Sequence, residues 1–305
     1  MRFFHSWQKI PPAYQNAVVA IGNFDGFHKG HRAVVEQAVD IAHKENRPVI
    51  LMTFEPHPEA FFRPGGRMFR ITPIRSKVRA ICELPIDAFC VFLFDRQFSG
   101  MSPDDFVKNV LIGGLHASHI VVGEDYGFGK NRKGDVAYMR RHYPELPVTA
   151  VKKLRDKNGE IISSSRIRAF LRDGEVERAA ELMEHPFEIE GYVIHGRQLG
   201  RQIGFPTVNI LPADSILPKL GVYAAAVDID DVSYKAMAYI GYRPTIGGST
   251  VLLEAHILDY DGDLYGQRLR VRLLSFIRPE NAFQSVDELK KQIINDLDHI
   301  RRILK

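Results

Sequence analysis

Ala17-Val18-Val19-Ala20-Ile21 runs directly into Gly22-Asn23-Phe24-Asp25-Gly26-Phe27-His28-Lys29-Gly30-His31. An unbroken apolar run of this length suits a strand buried on both faces, and such strands belong to parallel sheets covered by helices. Glycines end the strand. Beyond them Val34, Ala38, Ile41 and Ala42 recur at i, i+4, i+7 and i+8, the apolar stripe of a helix. Val49-Ile50-Leu51-Met52, Phe89 to Phe94 and His119-Ile120-Val121-Val122 predict three further buried strands. Strands alternating with helices imply an α/β domain with a Rossmann-like parallel sheet. Two short helices close it: Ser163 to Ser165 offer N-caps, Gly174 separates the pair, and the second runs from about Glu175 to Met183.

The periodicity then changes. Phe187-Glu188-Ile189-Glu190 and Leu269-Arg270-Val271-Arg272-Leu273 alternate strictly, as half-exposed strands do. Val222 to Ile229, Tyr234 to Ile240 and Val251 to Leu258 lie between them, separated by the turn residues Asp230-Asp231, Gly247-Gly248 and Asp261-Gly262-Asp263. Short strands at this spacing predict a mainly antiparallel β-barrel. A terminal helix follows, with a capping box at Ser285 and Glu288 and a stripe of Leu289, Ile293, Leu297 and Ile300. The boundary is expected near His185-Pro186, giving an α/β domain at 1–184 and a barrel domain at 185–305.

Bulk properties agree with two domains and set limits on function. The chain has 305 residues, 45% of them hydrophobic and 26% charged, which is enough apolar material for two cores. The formal net charge of +4 is mildly basic, but no long run of like charge marks a nucleic-acid surface. Arg140-Arg141 and Arg301-Arg302 are expected on solvated helix faces. Small phosphorylated ligands are therefore the expected partners, with no nucleic acid and no membrane; oligomeric state is not legible. Cys82 and Cys90 form no metal-binding spacing, and Cys90 sits in an apolar run, so a reduced, cytoplasmic setting fits. Met1 to Pro12 lacks an apolar signal core, and no stretch approaches a membrane span of about 20 apolar residues.

The turn Gly22 to His31 occupies the carboxyl end of a parallel strand, where such sheets place ligands. Gly22, Gly26 and Gly30 let backbone approach phosphate oxygens, and the helix N-terminus favours negative charge. His28 and His31 lie three apart, so both imidazoles can face one phosphorus centre as charge grows on it. A lone histidine there would be incidental; HxGH after Gly22-Asn23-Phe24-Asp25-Gly26 is far more specific. Downstream, Ile162-Ser163-Ser164-Ser165-Arg166-Ile167-Arg168 brings hydroxyls of Ser164 and Ser165 and the Arg166 guanidinium to a helix start, a set suited to a triphosphate.

The second half has no Walker loop. It carries His195-Gly196-Arg197-Gln198-Leu199-Gly200-Arg201-Gln202-Ile203-Gly204-Phe205-Pro206-Thr207-Val208-Asn209 instead. Gly196, Gly200 and Gly204 make a loop able to lie over phosphates, with Arg201 and Pro206 in the same ATP-contacting segment. Thr207 and Asn209 are two apart and share a face of an extended segment, where a hydroxyl and an amide oxygen suit Mg2+. Glu254 shares a strand face with Leu252 and His256, opposite Leu253, Ala255 and Ile257. A carboxylate there can accept the proton of a substrate hydroxyl during phosphoryl transfer, although the strand alone favours a solvent-facing glutamate.

HxGH followed by ISSSRIR resembles the nucleotidylyl transferase superfamily, with Ser165 where Thr is usual. Phe54-Glu55-Pro56-His57-Pro58 and Val122-Gly123-Glu124-Asp125-Tyr126-Gly127-Phe128-Gly129 narrow the resemblance to bacterial bifunctional riboflavin kinase/FAD synthetases. Gly204-Phe205-Pro206-Thr207-Val208-Asn209, Gly221-Val222-Tyr223-Ala224, Gly241-Tyr242-Arg243-Pro244-Thr245, Leu264-Tyr265-Gly266 and Ile277-Arg278-Pro279-Glu280 resemble its riboflavin kinase domain, in order. Three departures stand out: Tyr239 where Asn is usual, Pro244-Thr245-Ile246 in place of PTF, and Met183-Glu184-His185 in place of LGR.

The resemblance implies that His28, His31 and Arg166 act on the ATP phosphates in FAD synthesis, with Asn23, Phe24, Asp25 and Asp125 at the nucleotide. It implies a flavin site at Phe54, Pro56 and Phe128 in the first half and around Arg278 to Phe283 in the second. It also implies Thr207 and Asn209 at Mg-ATP and Glu254 as base. Riboflavin, FMN, FAD and ATP would be the substrates and products, with riboflavin phosphorylated first and FMN adenylylated second. Rival readings are one surviving activity, a flavin- or RNA-binding regulator on a decayed enzyme, and adenylylation of another phosphate ester.

Overall fold

The computed structural model describes residues 1–62, 70–196, 199–212, 214–245 and 248–304. The sequence readings at Arg197, Gln198, Ile246 and Gly247 lie outside the described residues. The chain divides into two compact units, Met1–Ser163 and Ser164–Lys305.

The first unit is an α/β layer structure. Its strands are β1 (Arg2–Phe4), β2 (Val18–Ile21), β3 (Val49–Glu55), β4 (Ala88–Leu93), β5 (His119–Gly123), the short β6 (Gly127–Phe128) and β7 (Gly134–Asp135), and β8 (Val148–Val151). The main sheet has the order β1-β4-β3-β2-β5-β8, and all its pairings are parallel. The helices are α1 (Lys29–Glu45), α2 (Pro58–Phe61), α3 (Ile74–Cys82), α4 (Arg96–Ser99), α5 (Pro103–Asp105) running on into a π-helical turn (Phe106–Ile112), and α6 (Val136–His142).

Strand side chains divide between two buried layers, as a period of two requires. Val18, Ala20, Val49, Leu51 and Phe89 enter one layer with Val34, Val35, Ala38 and Ala42 of α1. Val19, Ile21, Ile50, Met52, Cys90 and Phe92 enter the other. The buried runs anticipated from sequence are all strands. Two strands of the main sheet escaped that reading, as did the short β6 and β7: β1 has only 3 residues and is mostly exposed, and β8 is half-buried throughout. Chain order reverses beside β2, whose neighbours β3 and β5 leave in opposite directions across the sheet. Ligand crevices form at such a switch point, outside the carboxyl ends.

The second unit opens with α7 (Ser164–Asp173) and α8 (Val176–Met183), separated by Gly174 at φ +85°. Its strands are β9 (Phe187–Ile194), β10 (Val208–Pro212), β11 (Gly221–Ile229), β12 (Val232–Thr245), β13 (Gly248–Ile257) and β14 (Arg268–Arg278), with a helical turn α9 (Leu199–Gln202) after β9 and α10 (Val286–Ile303) at the end. They form a closed antiparallel barrel in the order β10-β13-β12-β11-β14-β9. Ile189, Ile210, Ala225, Ala238, Leu253, Ala255, Val271 and Leu273 are fully buried. Small alanines let a barrel of this size fill with side chains rather than enclose a cavity.

Asp230 and Asp231 both adopt positive φ, +47° and +63°, and close the β11–β12 hairpin in two residues. Ser285 accepts from the Glu288 amide at 3.2 Å, while the Glu288 carboxylate reaches the Gln284 amide at 3.0 Å, so the capping box closes one residue early.

The change of periodicity places a boundary at 184/185, whereas compactness divides the chain at Ser163/Ser164. The difference is α7 and α8. Gly174 lies against Lys219 and Phe276, and the Lys219 amide donates to Leu171 at 2.8 Å, so both helices settle on the barrel unit.

Candidate functional site

In the first unit the turn after β2 is built on residues with positive φ: Phe24 at +48°, Gly26 at +85° and Phe27 at +34°. Non-glycine residues there cost about 1–3 kcal/mol each and persist only where neighbours over-determine them. Phe24 and Phe27 meet that condition by burying their rings, each 1% exposed, and the Phe24 ring packs directly on Gly22. The Asp25 carboxylate accepts from the Ile71 and Thr72 amides at 3.0 Å, and the Gly26 amide donates to Thr72 Oγ1 at 2.9 Å. Phe24 and Asp25, expected at the nucleotide, therefore turn inward. Their side chains shape the turn through these contacts.

His28 is the N-cap of α1, and its Nδ1 accepts from the His31 amide at 3.3 Å. The two imidazoles stack at 3.7 Å with 16° between their planes. Phe24 abuts the His31 ring edge-on at 5.5 Å. Gly30 lies beneath His28, where a Cβ would sit 3.1 Å from Cε1. The geometry presents both ring edges at a helix N-terminus, where a developing anion is stabilised.

A cavity of about 940 Å³ opens beside this turn. Gly22 and Asn23 at the end of β2, Asp125 after β5, and Phe54 and Phe128 all line it, which joins five predicted site residues. His28, His31 and Pro56 are not among its lining residues. Pro56 follows Glu55 through a cis peptide bond. The Asp125 carboxylate is exposed and pairs with Lys153 at 2.9 Å.

Sequence reading missed much of the cavity wall: Phe62, Phe94, Phe98 and Phe106 with Tyr126, and the cations Lys130 and Arg132. Tyr126 stacks on Phe128 at 5.7 Å and 19°, and burial raises its phenol pKa well above the ordinary value. Aromatic walls together with the cations Lys130 and Arg132 suit a planar heterocycle carrying an anionic tail.

Under the turn, the Asn23 carbonyl accepts from Lys77 Nζ at 2.8 Å and Thr53 Oγ1 at 3.2 Å. Glu55 bridges Arg70 at 2.7 Å and Lys77 at 3.8 Å. Neither cation was expected from sequence. The available signal was a lysine on the same helical face as Ile74 and Ile81.

In the second unit, Ser164 and Ser165 begin α7 and the Arg166 guanidinium lies over Phe170 at 5.4 Å. Ser165 is exposed, whereas Arg168, not singled out from sequence, is buried.

The barrel brings its predicted residues together. Asn209 and Glu254 are cross-strand partners on β10 and β13, and Glu254 is likewise opposite Tyr239 on β12. The His256 Nδ1–H donates to the Pro206 carbonyl at 2.7 Å, fixing the approach to Thr207. Gly196 closes over Asn209: a Cβ there would sit 2.2 Å from Nδ2. At Gly200 a Cβ would be 2.3 Å from the Phe205 carbonyl and 3.2 Å from Thr207 Oγ1. Arg201 lies within α9, so the expected loop has a helical turn inside it, and Gly204 follows at φ +91°. At Gly196 and Gly200 the cradle around a hydroxyl and an amide leaves room for no side chain, and this donor set fits a hard cation shared with phosphates.

Arg278, expected on the flavin side, is engaged by the terminal helix. Its guanidinium grips Asp296 of α10 at 2.9 Å through Nε and Nη2, and Phe283 packs beneath it at 5.7 Å. Asp296 is 3% exposed, so this pair anchors the terminal helix. The Tyr239 hydroxyl donates to Glu280, and burial together with that bond raises the phenol pKa.

Two family models match the chain, FAD synthetase over residues 10–166 and riboflavin kinase over residues 183–304. The bifunctional riboflavin kinase/FMN adenylyltransferase of Escherichia coli K12 is 37% identical over 97% of this chain and 95% of its own. That of Pseudomonas fluorescens is 33% identical over 99% and 98%. A solved structure named macrolide-efflux protein, from Streptococcus pneumoniae, matches with a TM-score of 0.88 at 31% identity and covers 98% of both chains. Among the described residues of the present chain no helix is long and apolar enough to cross a membrane.

Proposed function

Since the chain belongs to the bifunctional riboflavin kinase/FMN adenylyltransferase family and carries both activities, we propose that each activity has its own constellation of residues, with the functional boundary at 184/185. The FAD synthetase domain is residues 1–184 and the riboflavin kinase domain residues 185–305.

In the kinase domain the terminal ribityl hydroxyl of riboflavin attacks the γ-phosphorus of ATP. Glu254 takes the hydroxyl proton, and ADP leaves. Gly196, Gly200, Arg201, Gly204 and Pro206 form the ATP-side wall. Thr207 and Asn209 would hold Mg2+, which when bound offsets the charge of the phosphates. Arg278 and Phe283 shape the flavin side through the anchorage of α10. The observation that carries this reading is the cross-strand pairing of Asn209 with Glu254.

In the other domain a phosphate oxygen of FMN attacks the α-phosphorus of ATP and pyrophosphate leaves. The bond formed joins FMN to AMP, giving FAD. No protein nucleophile is needed, so the residues position and stabilise. His28 and His31 donate toward the phosphoryl group as its charge grows. Gly22, Asn23, Gly26 and Gly30 give it backbone access, Asp125 lies on the nucleotide side, and the hydroxyls of Ser164 and Ser165 with the Arg166 guanidinium are assigned to ATP phosphates. The flavin ring occupies the aromatic cavity between Phe54 and Phe128. The stacked histidines at the head of α1 carry this assignment. ATP as co-substrate and two unpaired cysteines favour a cytoplasmic setting.

The test is incubation of the purified chain with riboflavin, ATP and Mg2+, with flavins separated over time. FMN accumulating first and FAD second is the expected course. His28→Ala should halt the sequence at FMN. Survival of FAD synthesis in that variant would overturn the site assignment.

A further inference from the structure

Lys77 belongs to neither constellation, yet it is 2% exposed. A cation in that position must be matched by bonds and countercharge, because burial alone disfavours it. Burial does press its pKa below the ordinary lysine value, while Glu55 and Asp25 oppose the fall.

Its partners are specific. Nζ donates to the Asn23 carbonyl at 2.8 Å and stands 3.8 Å from Glu55 Oε1. Asn23 lines the cavity at the end of β2, and Glu55 ends β3 immediately before Pro56. One ammonium thus spans the nucleotide turn and the flavin-side strand end. The segment leading into its helix holds the same turn through Ile71, Thr72 and the Thr72 hydroxyl.

We propose that Lys77 is a positioning residue for FMN adenylylation, setting the spacing between the turn that holds ATP and the strand end that holds FMN by tying the Asn23 carbonyl to the Glu55 carboxylate. The proposal rests on the assignment of that turn to ATP and of the cavity to flavin. In-line attack demands near-contact between the reacting atoms, and a misplacement of about 1 Å costs roughly 100-fold in rate.

The test uses the full chain carrying Lys77→Met, Lys77→Arg, Glu55→Gln and the Lys77→Met/Glu55→Gln pair. The kcat and both KM values for FMN adenylylation are measured, with riboflavin phosphorylation by the same molecules as reference. Lys77→Met should lower adenylylation kcat by about 10- to 100-fold and leave phosphorylation unchanged. Lys77→Arg should recover most of the loss. The double variant should lose less than the product of the two single losses, because both changes remove the Lys77–Glu55 contact, although Glu55→Gln also weakens the Glu55–Arg70 pair.

Adenylylation by Lys77→Met within about threefold of the parent would overturn the proposal. So would a loss that arginine does not restore, or losses that multiply in the double variant. If Lys77→Met does not fold, Glu55→Gln decides: unaltered adenylylation overturns the link, and a kcat loss at unchanged phosphorylation supports it. His28→Ala runs alongside, since adenylylation surviving there would overturn the site assignment and not the role of Lys77 within the fold.

Discussion

Asn209 and Glu254 stand directly opposite each other on antiparallel strands β10 and β13. Side chains so paired lie about 4.5–5.5 Å apart at Cβ and face the same way. A substrate hydroxyl held beside phosphates at Asn209 is then within reach of the Glu254 carboxylate. Glu254→Gln keeps the shape and removes the proposed base. Riboflavin phosphorylation should fall by about 10²–10⁴-fold, while adenylylation of supplied FMN is unchanged. Separate initial-rate assays with riboflavin and with FMN check this.

The histidine pair makes the complementary prediction. His28 caps α1 as well as facing the turn, so His28→Asn retains a capping side chain while losing the imidazole. FAD formation should drop by about 10²–10³-fold, with FMN accumulating from riboflavin. Chromatographic time courses read the ratio. Equal loss of both activities in a folded protein would refute the two-site arrangement.

Arg278 and Asp296 give a stability prediction. Arg278→Met strands the Asp296 carboxylate, which is 3% exposed and, among the described residues, retains only Gln292 at 2.8 Å. Removing one partner of a buried pair costs about 3–5 kcal/mol. Urea unfolding followed by far-ultraviolet circular dichroism should show the barrel transition at lower denaturant. Asp296→Asn combined with Arg278→Met should recover part of the loss, because the stranded charge is gone.

The two thiols should behave differently. Cys82 is exposed, and Cys90 lies in β4, where burial pushes its pKa from the ordinary 9.0 up to about 12. Iodoacetamide at pH 8 should label Cys82 alone until urea opens the core. Because the folded chain keeps a proton that the unfolded chain releases, this thiol's contribution to stability falls as pH rises from about 9 to about 12. Cys90→Ala should remove that component of the alkaline decline, measured as unfolding free energy across the same pH range.

Much of the architecture was legible because it rests on local periodicity. Ala17 to Ile21 reads as a doubly buried strand, and Val34, Ala38 and Ala42 are buried on α1. β1 was invisible because 3 residues carry no period, and β10 showed only as the extended segment at Thr207 to Asn209, its alternation too short to bound a strand. Residue type and spacing likewise marked His28, His31, Thr207 and Asn209. Direction was harder: Asp25, expected at the nucleotide, directs its carboxylate to the Ile71 and Thr72 amides, which no local pattern announces.

From its residues alone this chain specified a parallel α/β half, an antiparallel barrel half, a phosphate turn with paired histidines, and a hydroxyl–amide pair on one strand face. Those are properties of neighbours in sequence, set by backbone period and steric preference. Folding in three dimensions decided that Glu254 would meet Asn209, that Arg278 would clamp Asp296, and that Lys77 would join Asn23 to Glu55. Each is a pairing between distant segments. Strand register, barrel closure and the need to neutralise buried charge select such pairs, and no local pattern encodes them.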